Sequence, residues 1–164
     1  FPGLKKSNLK NIDYATKTIE QLFSKKLLEE STVKYFNYTS SVVAINDGKG
    51  GFTIQKLPPM IQLSSTNAIC IADVNDDSKP DLVIGGNKLG FPPQFGRLDA
   101  SYGDVLINTG SGKFTRMAPR MTGLNLTGEV RDIKEIKSKD KRYILIVVND
   151  QFPVLYQLKN NSGQ

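Results

Sequence analysis

One stretch of this chain repeats itself, and the repeat narrows the possible folds more than any other feature. Ile45-Asn46-Asp47-Gly48-Lys49-Gly50-Gly51-Phe52-Thr53 aligns without gaps with Ile107-Asn108-Thr109-Gly110-Ser111-Gly112-Lys113-Phe114-Thr115. Each unit places a β-prone run, a glycine turn and a Phe-Thr run in order, and a proline follows (Pro58, Pro119). Glycines supply the positive φ of tight hairpin turns. The next segments also correspond: Ala68–Asp73 and Asp81–Ile84 match Glu129–Asp132 and Ile144–Val147. The unit is therefore about four strands long, over roughly 60 residues, with Leu89–Ser101 as an insertion.

Short runs rich in β-branched residues read as strands. They are Val33–Tyr38, Ser41–Asn46, Phe52–Lys56, Ala68–Asp73, Leu82–Gly85, Asp104–Asn108, Lys113–Met117, Val130–Ile136, Tyr143–Asn149 and Val154–Leu158. Before them, Ile12, Ala15, Ile19, Leu22 and Phe23 fall at helical steps. Asn11 is placed to cap that run and Ser24 to open a second, Lys25–Glu30. The expectation is two consecutive helices in residues 1–31, an insertion or cap, and β-structure in 32–164. The fold class is mainly β: a fragment of a β-propeller with four-stranded antiparallel blades, about one complete and two partial, plus a short N-terminal helical segment.

Composition removes much chemistry. Among 164 residues there is no histidine, no tryptophan and one cysteine. Ser-His-Asp and Cys-His catalysis, His-ligated metals and an intrachain disulfide are excluded. Cys70 alternates within a strand and reads as a buried apolar residue. No apolar run approaches the roughly 18 residues of a spanning helix. The net charge of +6 includes a cluster at Lys134, Lys137, Lys139, Lys141 and Arg142. No aromatic RNA-binding motif or zinc-finger spacing accompanies it, so nucleic acid is not the expected partner. Phe1 opens the chain with no signal-like run behind it, which reads as a mature product, a designed chain or a fragment.

The stretch that carries chemistry is Asp73-Val74-Asn75-Asp76-Asp77-Ser78-Lys79-Pro80-Asp81-Leu82. A hard cation such as calcium takes about 6–8 oxygen ligands. Asp73, Asn75, Asp77 and Asp81 would give side-chain oxygens, and Lys79 its carbonyl, at alternate positions. It is not an EF-hand, because Ile84 stands where the bidentate Glu belongs. Asp76 and Ser78 occupy positions where glycine is usual, and Ser78 is expected in a left-handed conformation. Without a cation the same pattern is a solvated acidic turn.

This loop, followed by Leu82-Val83-Ile84-Gly85-Gly86-Asn87, resembles the FG-GAP/VCBS repeat of integrin-α-type β-propellers. The two Asn-x-Gly-x-Gly turns resemble that family's strand connection. Tyr14-Ala15, Phe95-Gly96-Arg97-Leu98-Asp99-Ala100-Ser101-Tyr102-Gly103 and Gly128-Glu129-Val130-Arg131-Asp132-Ile133 resemble the C-terminal part of bacterial ASPIC/UnbV-associated FG-GAP-like proteins, Bacteroidetes ones especially. Gly85-Gly86-Asn87 replaces the Gly-Ala-Pro signature. Lys134, Lys137, Lys139 and Lys141 follow Asp132 in the second repeat, so one calcium site is expected rather than two.

The resemblance implies a calcium-stabilised, non-catalytic binding or adhesion module of a larger secreted or surface protein, with a protein or glycan ligand. The alternative is an accessory or catalytic propeller part of a carbohydrate-active enzyme, with Asp99, Asp104 and Glu129 as candidate carboxylates. Exposed strand edges favour self-association. Phe91, Phe95 and Tyr102 form a binding rim or pack under their own loop. Asn37, Asn125 and Asn160 begin glycosylation sequons that chance alone accounts for.

Overall fold

A computed structural model describes residues 2–159. The chain divides into two compact units, Phe1–Thr39 and Ser40–Gln164. It is mainly β, with antiparallel sheets of two, four and three strands. Among the described residues no helix is long and apolar enough to cross a membrane.

The first unit holds four short helices where two were expected: α1 (Pro2–Ser7), α2 (Asn11–Ala15), α3 (Ile19–Leu22) and α4 (Lys25–Glu29). The long run breaks at Thr16-Lys17-Thr18. There Thr18 and Gln21 form a capping box that starts α3 afresh. Asn11 lies inside α2, and the residue at its N-cap is Lys10, without a side-chain cap. Ser24 caps α4 as expected, its hydroxyl accepting the Leu27 N–H at 3.4 Å. Among the described residues these four helices bury none; Ile12, Ile19 and Leu27 are each more than half exposed. The anticipated strand Val33–Tyr38 is absent, and Val33, Tyr35, Phe36 and Tyr38 face solvent.

The second unit begins with a hairpin of β1 (Val42–Asn46) and β2 (Phe52–Lys56). A 3-10 turn, Pro59–Leu63, follows. Then come β3 (Thr66–Ala72), β4 (Asp81–Gly86), β5 (Asp104–Gly110) and β6 (Lys113–Arg116), paired in sequence order as one meander. After the short α5 (Pro119–Thr122), β7 (Val130–Ser138), β8 (Lys141–Val148) and β9 (Val154–Gln157) form the third sheet. The repeat is visible in the turns. Asn46 Oδ1 accepts the Gly48 N–H at 2.7 Å, and Asn108 Oδ1 accepts the Gly110 N–H at 2.9 Å.

Buried clusters lie on both faces of the four-stranded sheet. On one, Ala68, Cys70, Ala72, Val83 and Val105 meet Val130, Ile133, Ile144, Ile146 and Val148 of the third sheet. Small side chains on β3 let β7 come close, and Gly85 matters for the same reason. A Cβ there would lie 2.6 Å from Val130 Cγ1. On the other face Leu57, Ile61, Ile84 and Leu106 cluster with Val43 and Phe114. Alternation along β3 leaves Ile69 and Ile71 exposed. Cys70 is buried at 7% exposure, and burial pushes its thiol pKa up.

Candidate cation-binding loop

The loop joins β3 to β4, between the first two strands of the four-stranded sheet. Its side chains fold back onto its own backbone. Asp73 accepts the N–H of Asp77 at 3.0 Å and of Ser78 at 2.8 Å on separate oxygens. Asn75 Oδ1 accepts the Asp77 N–H at 3.2 Å. Asp77 Oδ1 accepts the Lys79 N–H at 2.9 Å. Asp77 Oδ2 receives the Asn75 amide and the Lys79 ammonium, each at 3.1 Å. The Lys79 N–H, with the ammonium behind it, holds the Asp77 carboxyl below the usual carboxylate range. Asp76 and Ser78 adopt left-handed φ values of 58° and 63°, the conformation expected for Ser78. Such residues are strained unless their surroundings hold them.

Asp81 differs from the other candidates. It is 0% exposed, and its two oxygens accept the N–H of Val74 at 2.9 Å and of Asn108 at 2.8 Å. One carboxylate thus ties the loop's entry to β5. The donor set of Asp73, Asn75, Asp77, Asp81 and the Lys79 carbonyl is all oxygen, which suits a hard cation. The oxygens of Asp73 and Asp81 and Oδ1 of Asp77 each hold one N–H and keep a second lone pair, whereas Asp77 Oδ2 already receives two donors. Among the described residues, however, no three acidic, His or Cys side chains gather as a metal-binding group. In this arrangement the loop is closed by its own amides and by basic side chains.

Arg142 is a participant the loop motif does not reveal. From β8 its guanidinium donates to Glu135 at 2.7 Å, to the Asp76 carboxylate at 2.9 Å and to the Asp73 carbonyl at 2.6 Å. The second repeat has no such loop. β7 and β8 turn sharply at Lys139-Asp140, and Lys134 pairs with Asp132 at 3.5 Å.

The other carboxylates are held separately. Asp104 is buried against the Arg116 guanidinium. Glu129 accepts the Leu89 N–H at 2.6 Å and pairs with Arg131 at 2.8 Å and Lys88 at 3.6 Å. The Leu89 N–H is the main reason its pKa is lowered, whereas a general acid needs a raised one. Asp99 is exposed. Asn87, marked in the sequence only as a departure from the Gly-Ala-Pro signature, is a buried hub. Its amide donates to the Ser101 and Gly128 carbonyls, and its oxygen accepts from Ser64 and Ser101. On the insertion and just after it, Phe95 and Tyr102 are more than half exposed and Phe91 somewhat less. The sequon at Asn160 lies outside the described residues. Comparisons of the chain with protein families, curated proteins and solved structures find no match.

Proposed function

We propose that this chain is a calcium-stabilised, non-catalytic binding or adhesion module: a β-propeller fragment of a larger secreted or surface protein of the FG-GAP kind. The observation that carries the reading is the four-stranded antiparallel meander β3–β6, with the oxygen-rich loop between its first two strands. Propeller blades are four-stranded sheets whose faces pack on their neighbours. The two-stranded and three-stranded sheets on either side of β3–β6 fit two partial blades. Asp73, Asn75, Asp77, Asp81 and the Lys79 carbonyl would hold one calcium ion. The ion would add to the N–H ladder that already orders the turn. Exposed Phe95 on the insertion and Tyr102 just after it suit a protein or glycan ligand. The unpaired outer edges of the sheets suit self-association.

The test is thermal unfolding of the chain in EGTA against a calcium titration, with Asp77→Ala alongside. Saturable stabilisation is expected, about 2.7 kcal/mol when calcium exceeds its dissociation constant a hundredfold, and it disappears in the variant. No shift up to millimolar calcium would make the loop an acidic turn.

A further inference from the structure

The loop's most specific contact comes from another sheet. Arg142 is the second residue of β8, with a side chain 21% exposed. Glu135 on β7 holds Nε at 2.7 Å and so aims the guanidinium plane. The two remaining nitrogens reach across to separate points of the loop: the carbonyl of Asp73, its first residue, and the carboxylate of Asp76, three residues on. A planar, always-charged fork suits several acceptors fixed in one plane. The contact fixes Asp76 at a φ of 58°, a left-handed conformation that Asp adopts more readily than most non-glycine residues but not freely. The charged groups around the contact are Asp73, Asp76, Lys79, Glu135 and Lys137.

We propose that Arg142 is the positioning residue of the Asp73–Asp81 loop, holding it in its binding conformation from the neighbouring sheet. Loop order and cation affinity then depend on docking of the third sheet against the second. The affinity half rests on the calcium reading above; the loop-order half does not. Glu135 and Asp76 offset the guanidinium charge. Removing Arg142 therefore costs the loop more in lost alignment than it gains in relieved repulsion toward a cation.

The experiment uses the full chain with calcium alone as the ligand. Amide exchange is followed by NMR in EGTA, and calcium affinity by calorimetry, for Arg142→Met, Arg142→Lys and Asp76→Asn. In Arg142→Met the Asp77 and Ser78 amides should exchange about tenfold faster or more, while β7–β8 amides keep their protection. The calcium dissociation constant should rise by about tenfold or more. Arg142→Lys should fall between, because one ammonium cannot replace the three-way fork. Asp76→Asn breaks the contact from the loop side and leaves the third sheet intact. It should shift both readouts the same way, by less, and it keeps the test open if Arg142→Met fails to fold. Unchanged loop exchange in Arg142→Met and Asp76→Asn, or equal or tighter calcium binding, would overturn the proposal. If the unaltered chain binds no calcium, the calcium reading falls, and the exchange arm still decides the role of Arg142.

Discussion

Asp81 separates a structural role from a metal-binding one, because its two oxygens already hold two N–H groups inside the protein. Asp81→Ala leaves the Val74 and Asn108 amides without that acceptor at a position 0% exposed. A buried donor left unsatisfied costs about 1–3 kcal/mol, and both donors here belong to half-buried residues, so the pair costs at most about 2–6 kcal/mol. For a unit of this size that is a drop of about 3–5 °C in Tm per kcal/mol. Asp81→Asn keeps one acceptor but turns an NH2 toward the other amide, and should cost about 1–3 kcal/mol. The assay is urea unfolding in EGTA, with an unchanged m-value as the check that only stability moved. The control is Asp77→Ala. Its side chain is 30% exposed and water can replace what it accepts, so its cost without metal should be well below that of Asp81→Ala. Equal losses for Asp81→Ala and Asp77→Ala in EGTA would refute the reasoning. Asp81 would then be one more loop oxygen rather than the tie between loop and sheet.

Two further outcomes follow from named contacts. A Cβ at Gly86 would run into the backbone carbonyl of Ser65, which cannot swing aside as a side chain can. Gly86→Ala should therefore lower stability by about 1–3 kcal/mol or more in urea unfolding, and an unchanged midpoint would show that the two segments are not that close. The pKa of Glu129 is depressed in the folded state, chiefly by the Leu89 N–H, with Gly90, Lys88 and Arg131 adding to it. Its contribution is thus complete above the unfolded value of about 4.3 and is lost as pH falls through the folded one. Glu129→Gln should flatten the acid side of a urea-midpoint profile, and a parallel acid limb in the variant would contradict this.

The strands of the second unit were legible because their causes are local. β-branched alternation marked each strand, Asn-x-Gly turns marked the β1–β2 and β5–β6 hairpins, and every strand boundary in that unit fell within two residues of its expected place. The run Val33–Tyr38 carries the same alternation and forms no strand. Alternation makes a segment able to pair, but a strand exists only when a partner completes its ladder. The helical run of the first unit misled in a similar way. Its apolar spacing continued across Thr16–Thr18, while the side-chain capping that interrupts it depended on Thr18 and Gln21 meeting.

The loop divides along the same line. Its spacing of Asp73, Asn75, Asp77 and Asp81 was plain in the sequence, and so was the need for a left-handed Ser78, because turn geometry is set by adjacent residues. Which partners those oxygens meet was decided only by the tertiary structure. Arg142 grips Asp76 from 66 residues away, Glu129 anchors Leu89 from 40 away, and Asp81 spends its carboxylate on an amide of β5. Hydrogen bonds and ion pairs act over a few ångströms. Sequence separation therefore says nothing about them until sheet packing brings the groups together.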